Sequence, residues 1–189
     1  MAWRIGKRTP RGRRLLRDTR GSAAVEFAML APAFFGLLFS MFEIGITYTA
    51  DALLQDAIND TARMIRTGQA QGAGMTRQQF RDEVCDRVDV LLACDQRLQI
   101  DVRTFNRFAN AQFEDPLDGN GNFRDDFRYD PGTACSIVVV RGFYAWSPIT
   151  PGLGEFMATM SGGEHLIQVT AAIRNEPYAS GQSGCASLG

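Results

Sequence analysis

The sequence predicts an α+β chain in which one long N-terminal helix, first transmembrane and then amphipathic, packs on a small antiparallel sheet. Three observations carry this expectation. Residues 22 to 42, "SAAVEFAMLAPAFFGLLFSMF", form an apolar run whose only charge is Glu26. Past that run a helical period continues without a breaker, and later in the chain three separated segments have the pattern of strands. With 189 residues the chain has room for one modest domain plus an appended segment.

The elements follow in order. Residues 1 to 21 hold Arg4, Lys7, Arg8, Arg11, Arg13, Arg14, Arg17 and Arg20 against Asp18 alone, so a formal net charge of -1 conceals a basic leader joined to an acidic remainder. A helix over residues 22 to 42 spans about 31 Å at about 1.5 Å per residue, the thickness of a bilayer core. The buried helix of a soluble protein is rarely apolar on every face for so long. A cleaved secretory signal has a shorter apolar region with small residues after it, whereas Ser22, Ala23 and Ala24 come first. The basic flank sets the orientation by the positive-inside rule, with the N-terminus in the cytoplasm and the rest of the chain outside. The expected division is a basic leader over 1–21, a transmembrane helix over 22–46 and an extracytoplasmic α+β domain over 47–189.

Leu54, Ala57, Ile58, Thr61, Ala62 and Ile65 recur at three- and four-residue intervals, with Asp51, Gln55, Asp56, Asn59, Asp60 and Arg63 between them. One helix is therefore expected from Ser22 to about Thr67, bent at Pro32 and ended by Gly68, Gly72 and Gly74. Its apolar stripe needs cover, expected from the chain's own later strands, with a coiled-coil partner as the alternative. Thr76 and Gln79 have the capping-box spacing ahead of Phe80, Val84, Val88, Leu91 and Leu92, which predicts a second helix over 77–93. "RLQIDVRTF" alternates Leu98, Ile100, Val102 and Thr104 with Gln99, Asp101 and Arg103, the period of a half-buried strand. "CSIVVVRGFYAW" is continuously apolar and is expected to be the central strand, and "HLIQVTAAIR" places Ile167, Val169, Ala171 and Ile173 on one face. The loop from 106 to 132 is polar. Asp118, Asn120 and Asn122 have the spacing of calcium ligands, but Phe123 stands where an EF-hand needs Gly and Tyr129 where it needs Glu. A solvated turn built on Asp-Gly and Asn-Gly is the better expectation.

Cys85, Cys94, Cys135 and Cys185 all lie on the expected outer side, and four cysteines allow three connectivities. Cys85 and Cys94 are close enough for a local loop. Their pairing leaves Cys135 for Cys185, a bridge that would pin the C-terminal tail. The spacing does not suit zinc, and no metal or other cofactor is expected. Catalysis is not expected either. His165 is the one histidine, "GQSGC" lacks the last glycine of a nucleophile elbow, and no two carboxylates stand out as an acid and base pair. The basic leader lacks the interleaved aromatic residues of a nucleic-acid site and abuts a membrane span, so no nucleic-acid partner is expected.

Glu26 is the unusual residue, because a carboxylate in hydrocarbon is costly without a partner. Gly21, then the small residue Ser22, then Glu26 at the fifth position after the glycine and Phe27 at the sixth, all opening an apolar helix, resemble the prepilin processing site of type IV pilin-like proteins. With Pro32 and Glu43, the segment 21 to 45 resembles TadE-like minor pseudopilins of the tight-adherence (Tad, or Flp) pilus system, and "VTAAIRNEP" at 169–177 resembles the family's last strand and ending. The resemblance implies cleavage after Gly21 by a prepilin peptidase, with Glu26 setting helix register against the new amine of a neighbouring subunit. It further implies a pilin-like fold, residence in the bacterial inner membrane with the C-terminal domain in the periplasm, and other pilin and minor pilin subunits as partners. The competing expectation is an unprocessed, signal-anchored periplasmic binding domain.

Overall fold

The computed structural model describes residues 21 to 178, apart from 95, 108, 110, 111, 151 and 153, together with Cys185. The basic leader before Gly21 and the rest of the C-terminal tail lie outside the described residues. The elements are α1 (Ser22–Arg66), α2 (Gln69–Gly72), α3 (Arg77–Val88), β1 (Leu98–Phe105), β2 (Ile137–Trp146), α4 (Gly154–Met157) and β3 (His165–Arg174). Two compact units divide the chain, one ending at Met41 and the other beginning at Phe42.

In the first unit α1 runs on through Pro32 as helix. Its large side chains, including Val25, Phe27, Met29, Leu30, Phe34 and Leu37, are exposed.

The second unit holds the rest of α1 and a three-stranded antiparallel sheet of order β1-β2-β3. Leu98 pairs with Tyr144 and Phe105 with Ile137 on one side of β2, and Ile137 pairs with Arg174 and Trp146 with His165 on the other. The apolar stripe of α1 is covered as expected. Leu54, Ile58, Ala62 and Ile65 form a buried core with Ile100 and Val102 of β1, Val138, Val140 and Tyr144 of β2, and Val169 of β3. Helix and sheet approach most closely at Gly142, where an added Cβ would stand 3.0 Å from Ile58 Cδ1 and 3.1 Å from Val169 Cγ2. Only the absence of a side chain lets Ile58 sit there.

Helix α3 starts with the capping box expected at Thr76 and Gln79 but ends at Val88 rather than at 93. Cys85 and Cys94 account for the difference. Their Cα atoms are 5.8 Å apart, whereas nine residues of continuous helix would separate them by about 13.5 Å. The chain turns back after Val88, with Leu91 and Leu92 donating to its carbonyl, and Leu92 is buried against the core.

The face of the sheet that the alternation of β1 assigns to solvent is covered instead. Asp101 is fully buried, as are Arg141 and Phe143. The Asp101 carboxylate accepts from Arg141 Nη2 at 2.5 Å, Arg103 Nε at 2.9 Å and the backbone N–H of Arg128 at 2.8 Å. The cover is the 106–132 loop, which is more than a solvated turn. Val102 donates to Arg128 O and accepts from Asp130 N, so the loop's end lies along the free edge of β1. Phe127 stacks on Phe143 with ring centroids 5.5 Å apart, and Phe113 lies under the Arg141 guanidinium at 4.3 Å. An exposed strand edge and a buried ion cluster are thus closed by one segment.

Candidate functional site

In the first unit the relevant residues open α1. Gly21 precedes the helix and Ser22 is its first residue. Ser22 Oγ donates to Glu26 Oε1 at 3.1 Å, one helical turn on, and both side chains are exposed. Glu26 therefore stands among exposed apolar neighbours with one carboxylate oxygen held by a hydroxyl. Phe27 is exposed beside it. Among the described residues, α1 is the one helix long and apolar enough to cross a membrane.

In the second unit the same helix carries a second carboxylate with the opposite environment. Glu43 is 2 % exposed. It accepts from Ile149 N at 3.0 and 3.1 Å, from Thr150 N and Thr150 Oγ1 at 2.9 Å each, and from Trp146 Nε1 at 3.5 Å. Two backbone amides, a hydroxyl and an indole replace the water that a buried carboxylate loses, which is the condition for burying one at all. The arrangement fastens the turn after β2 to α1 one residue past the apolar run. Sequence reasoning noted Glu43 only as part of a family pattern, and nothing in the spacing pointed to residues 146 to 150 as its partners.

The chain's last described turn fastens the other end of the helix. Asn175 is buried and donates through Nδ2 to Pro131 O at 3.0 Å and Thr133 O at 2.9 Å. Glu176 N donates to Arg66 O at 2.9 Å, and its carboxylate meets Arg66 Nη2 at 2.9 Å. Tyr178 lies over Gly68, where a Cβ would come within 2.5 Å of the ring. The segment "RNEP" thus ties the end of β3 to the end of α1.

Residues 21–63 match the model of the TadE-like protein family. This stretch is a TadE-like segment. It begins at Gly21, contains Glu26, Pro32 and Glu43, and stops within α1, so the sheet and the likeness at 169–177 lie beyond it. No curated protein and no solved structure matches the chain.

The remaining sequence candidates have plain positions around the TadE-like segment. Cys85 and Cys94 sulfurs are 2.21 Å apart, and those of Cys135 and Cys185 are 2.01 Å apart, both disulfide distances. His165 is the half-buried first residue of β3. Its Nδ1 lies 3.0 Å from the carbonyl oxygen of Met157, so the ring's polar contact is backbone and not a serine or carboxylate. Asp118 Oδ1 accepts the backbone N–H groups of Asn120 and Asn122 at 2.9 Å each, which makes the calcium-like spacing a turn closed on itself. The same bonds, Asn122 first, hold the Asp118 carboxyl below the usual range.

Proposed function

We propose that this protein is a minor pilin-like, pseudopilin subunit in the biogenesis of a tight-adherence pilus. The observation that carries the reading is the TadE-like match over residues 21–63, which coincides with a helix that opens at Gly21–Ser22, holds Glu26 among exposed apolar side chains and continues into a packed domain. In this reading residues 1–21 are a cytoplasmic leader removed by a prepilin peptidase that cuts between Gly21 and Ser22. Residues 22–46 anchor the subunit in the bacterial inner membrane as a single span, and residues 47–189 fold in the periplasm.

The exposed apolar surface of the span serves two states. Lipid covers it while the subunit is stored, and neighbouring pilin helices cover it during assembly. Glu26 gives the second state its register. A carboxylate in lipid is destabilising by about 2.5–3.5 kcal/mol near the bilayer centre and less near an interface. Pairing with the Ser22 amine of an adjacent subunit offsets that cost at one axial position only. The disulfides Cys85–Cys94 and Cys135–Cys185 suit the oxidising side of the membrane. The outer domain is then the surface that meets other pilin and minor pilin subunits.

Replacing Glu26 by alanine tests the register. The reading expects normal insertion and cleavage with impaired piliation. Normal pili from Glu26→Ala cells would contradict it.

A further inference from the structure

The turn that Glu43 holds has a feature that the pilin reading does not use. Residues 147 to 163 contain one charged residue, Glu155, in seventeen positions otherwise filled by apolar, small and hydroxyl side chains. Within this stretch Ile149 is 64 % exposed and Phe156 is 91 % exposed. Large apolar side chains presented so openly on the surface of a folded domain mark a contact with something apolar.

Their height is fixed by hydrogen bonds. Ile149 N and Thr150 N bond directly to Glu43, the residue that follows the apolar run. Met157, next to Phe156, lines an open groove of about 540 Å³ with Ile44, Tyr48 and His165. Both ends of the stretch therefore lie beside the first turns of α1 after Phe42. On the same helix turns, Phe42, Ile44 and Tyr48 are themselves exposed. A span of residues 22–42 fills a hydrocarbon core of about 30 Å, so this level is the bilayer's polar boundary. Aromatic and aliphatic side chains without nearby charge are the composition that settles there.

We infer that the 147–157 segment, through Ile149 and Phe156, is a second membrane contact that lies on the outer lipid surface beside the span. This inference rests on the proposed span. The bilayer is favoured over a protein partner because the two exposed side chains are held at the axial level where the apolar helix ends, and because the segment is nearly uncharged. The contact would fix the orientation of the domain on the membrane before assembly, with Glu43 transmitting the position of the helix to the segment.

Photoreactive side chains placed singly at Ile149, Phe156, Phe39 and Val90 of the full chain, reconstituted in vesicles of phosphatidylcholine and phosphatidylglycerol, test this. Phe39 lies in the apolar run, and Val90 is an exposed apolar side chain just past α3. The expected result is lipid adduct at Phe156 and Ile149 several-fold above that at Val90, together with strong adduct at Phe39. Adduct at Phe39 with Ile149 and Phe156 no higher than Val90 would overturn the inference and leave the span intact. Cross-links from Phe156 to a second copy of the chain in place of lipid would overturn it in favour of a subunit interface. No lipid adduct at Phe39 would refute the span itself, and the second contact with it.

Discussion

The Glu43 carboxylate receives the backbone N–H of Ile149 at 3.0 Å across a sequence separation of 106, and it is the main polar link between the first buried turn of α1 and the turn after β2. Glu43→Ala removes the acceptor and leaves Ile149 N, Thr150 N and Trp146 Nε1 without it. Unsatisfied buried donors cost about 1–3 kcal/mol each when water cannot reach them. The expected loss is roughly 2–4 kcal/mol, since part of the site can rehydrate. Glu43→Gln keeps one carbonyl oxygen and should lose less. Denaturant unfolding of the detergent-solubilised protein reads both, and equal stability of Glu43→Ala and the parent would contradict this role.

Gly142 marks the closest approach of helix and sheet. Gly142→Val would drive its branches against Ile58 and Val169, which already stand 3.0–3.1 Å from the position of a Cβ. Overpacking of this kind destabilises by about 1–3 kcal/mol. The companion change Ile58→Ala, made in the Gly142→Val background, should recover part of that loss. A double-mutant cycle showing no coupling would place the strain elsewhere.

How far these contacts could be foreseen differs by kind. The stripe Leu54, Ile58, Ala62 and Ile65 and the alternation of Leu98, Ile100 and Val102 are local periods, and both led to the observed core. Asp101 was misplaced by the same logic. Alternation says which side chains share a face, and it is silent on whether an unpatterned loop later covers that face. The 106–132 loop does so mainly through backbone bonds to Val102 and two aromatic rings, none of which has a period. The early end of α3 follows from the Cys85–Cys94 distance, a constraint that competes with helix period and wins. Glu43 was visible as a residue and invisible as a contact, because hydrogen bonds to amides 106 and 107 positions away leave no mark on composition.

The Asp101 cluster makes its own prediction. Arg141 is buried, and its guanidinium donates twice to Asp101. Asp101→Ala leaves that charge without its acceptor, a change that typically costs about 3–5 kcal/mol. Changing Asp101 and Arg141 together to a neutral pair of similar volume should cost less than Asp101→Ala alone. Thermal unfolding of the three variants decides this, and a double variant weaker than the single one would contradict it.

The two cysteine pairs differ in the loop each closes, with sequence separations of 9 and 50. Chain entropy assigns about 2.5 kcal/mol to the shorter and about 4 kcal/mol to the longer. Cys135→Ser should therefore destabilise more than Cys85→Ser. Nonreducing peptide mapping should recover Cys85 with Cys94 and Cys135 with Cys185. Four free thiols in protein extracted from cells would contradict the pairing.

Burial against Phe80, whose ring centroid is 5.6 Å away, pushes the Tyr129 hydroxyl up to about 12 from an ordinary value of 10.0. A raised pKa means that the folded state holds this proton more tightly than the unfolded state does. Its contribution to stability is thus complete below pH 10 and is lost as pH rises through about 12. Tyr129→Phe should flatten that alkaline loss. A Tyr129→Phe curve parallel to the parent's would assign the loss to other groups.

The most direct test of the central claim is the intact mass and N-terminal sequence of the membrane-extracted protein from cells with and without their prepilin peptidase. The account predicts a chain that starts at Ser22 in the first and retains its leader in the second. A chain that begins at Met1 or Ala2 in both would contradict it and would leave a signal-anchored domain that never enters a pilus.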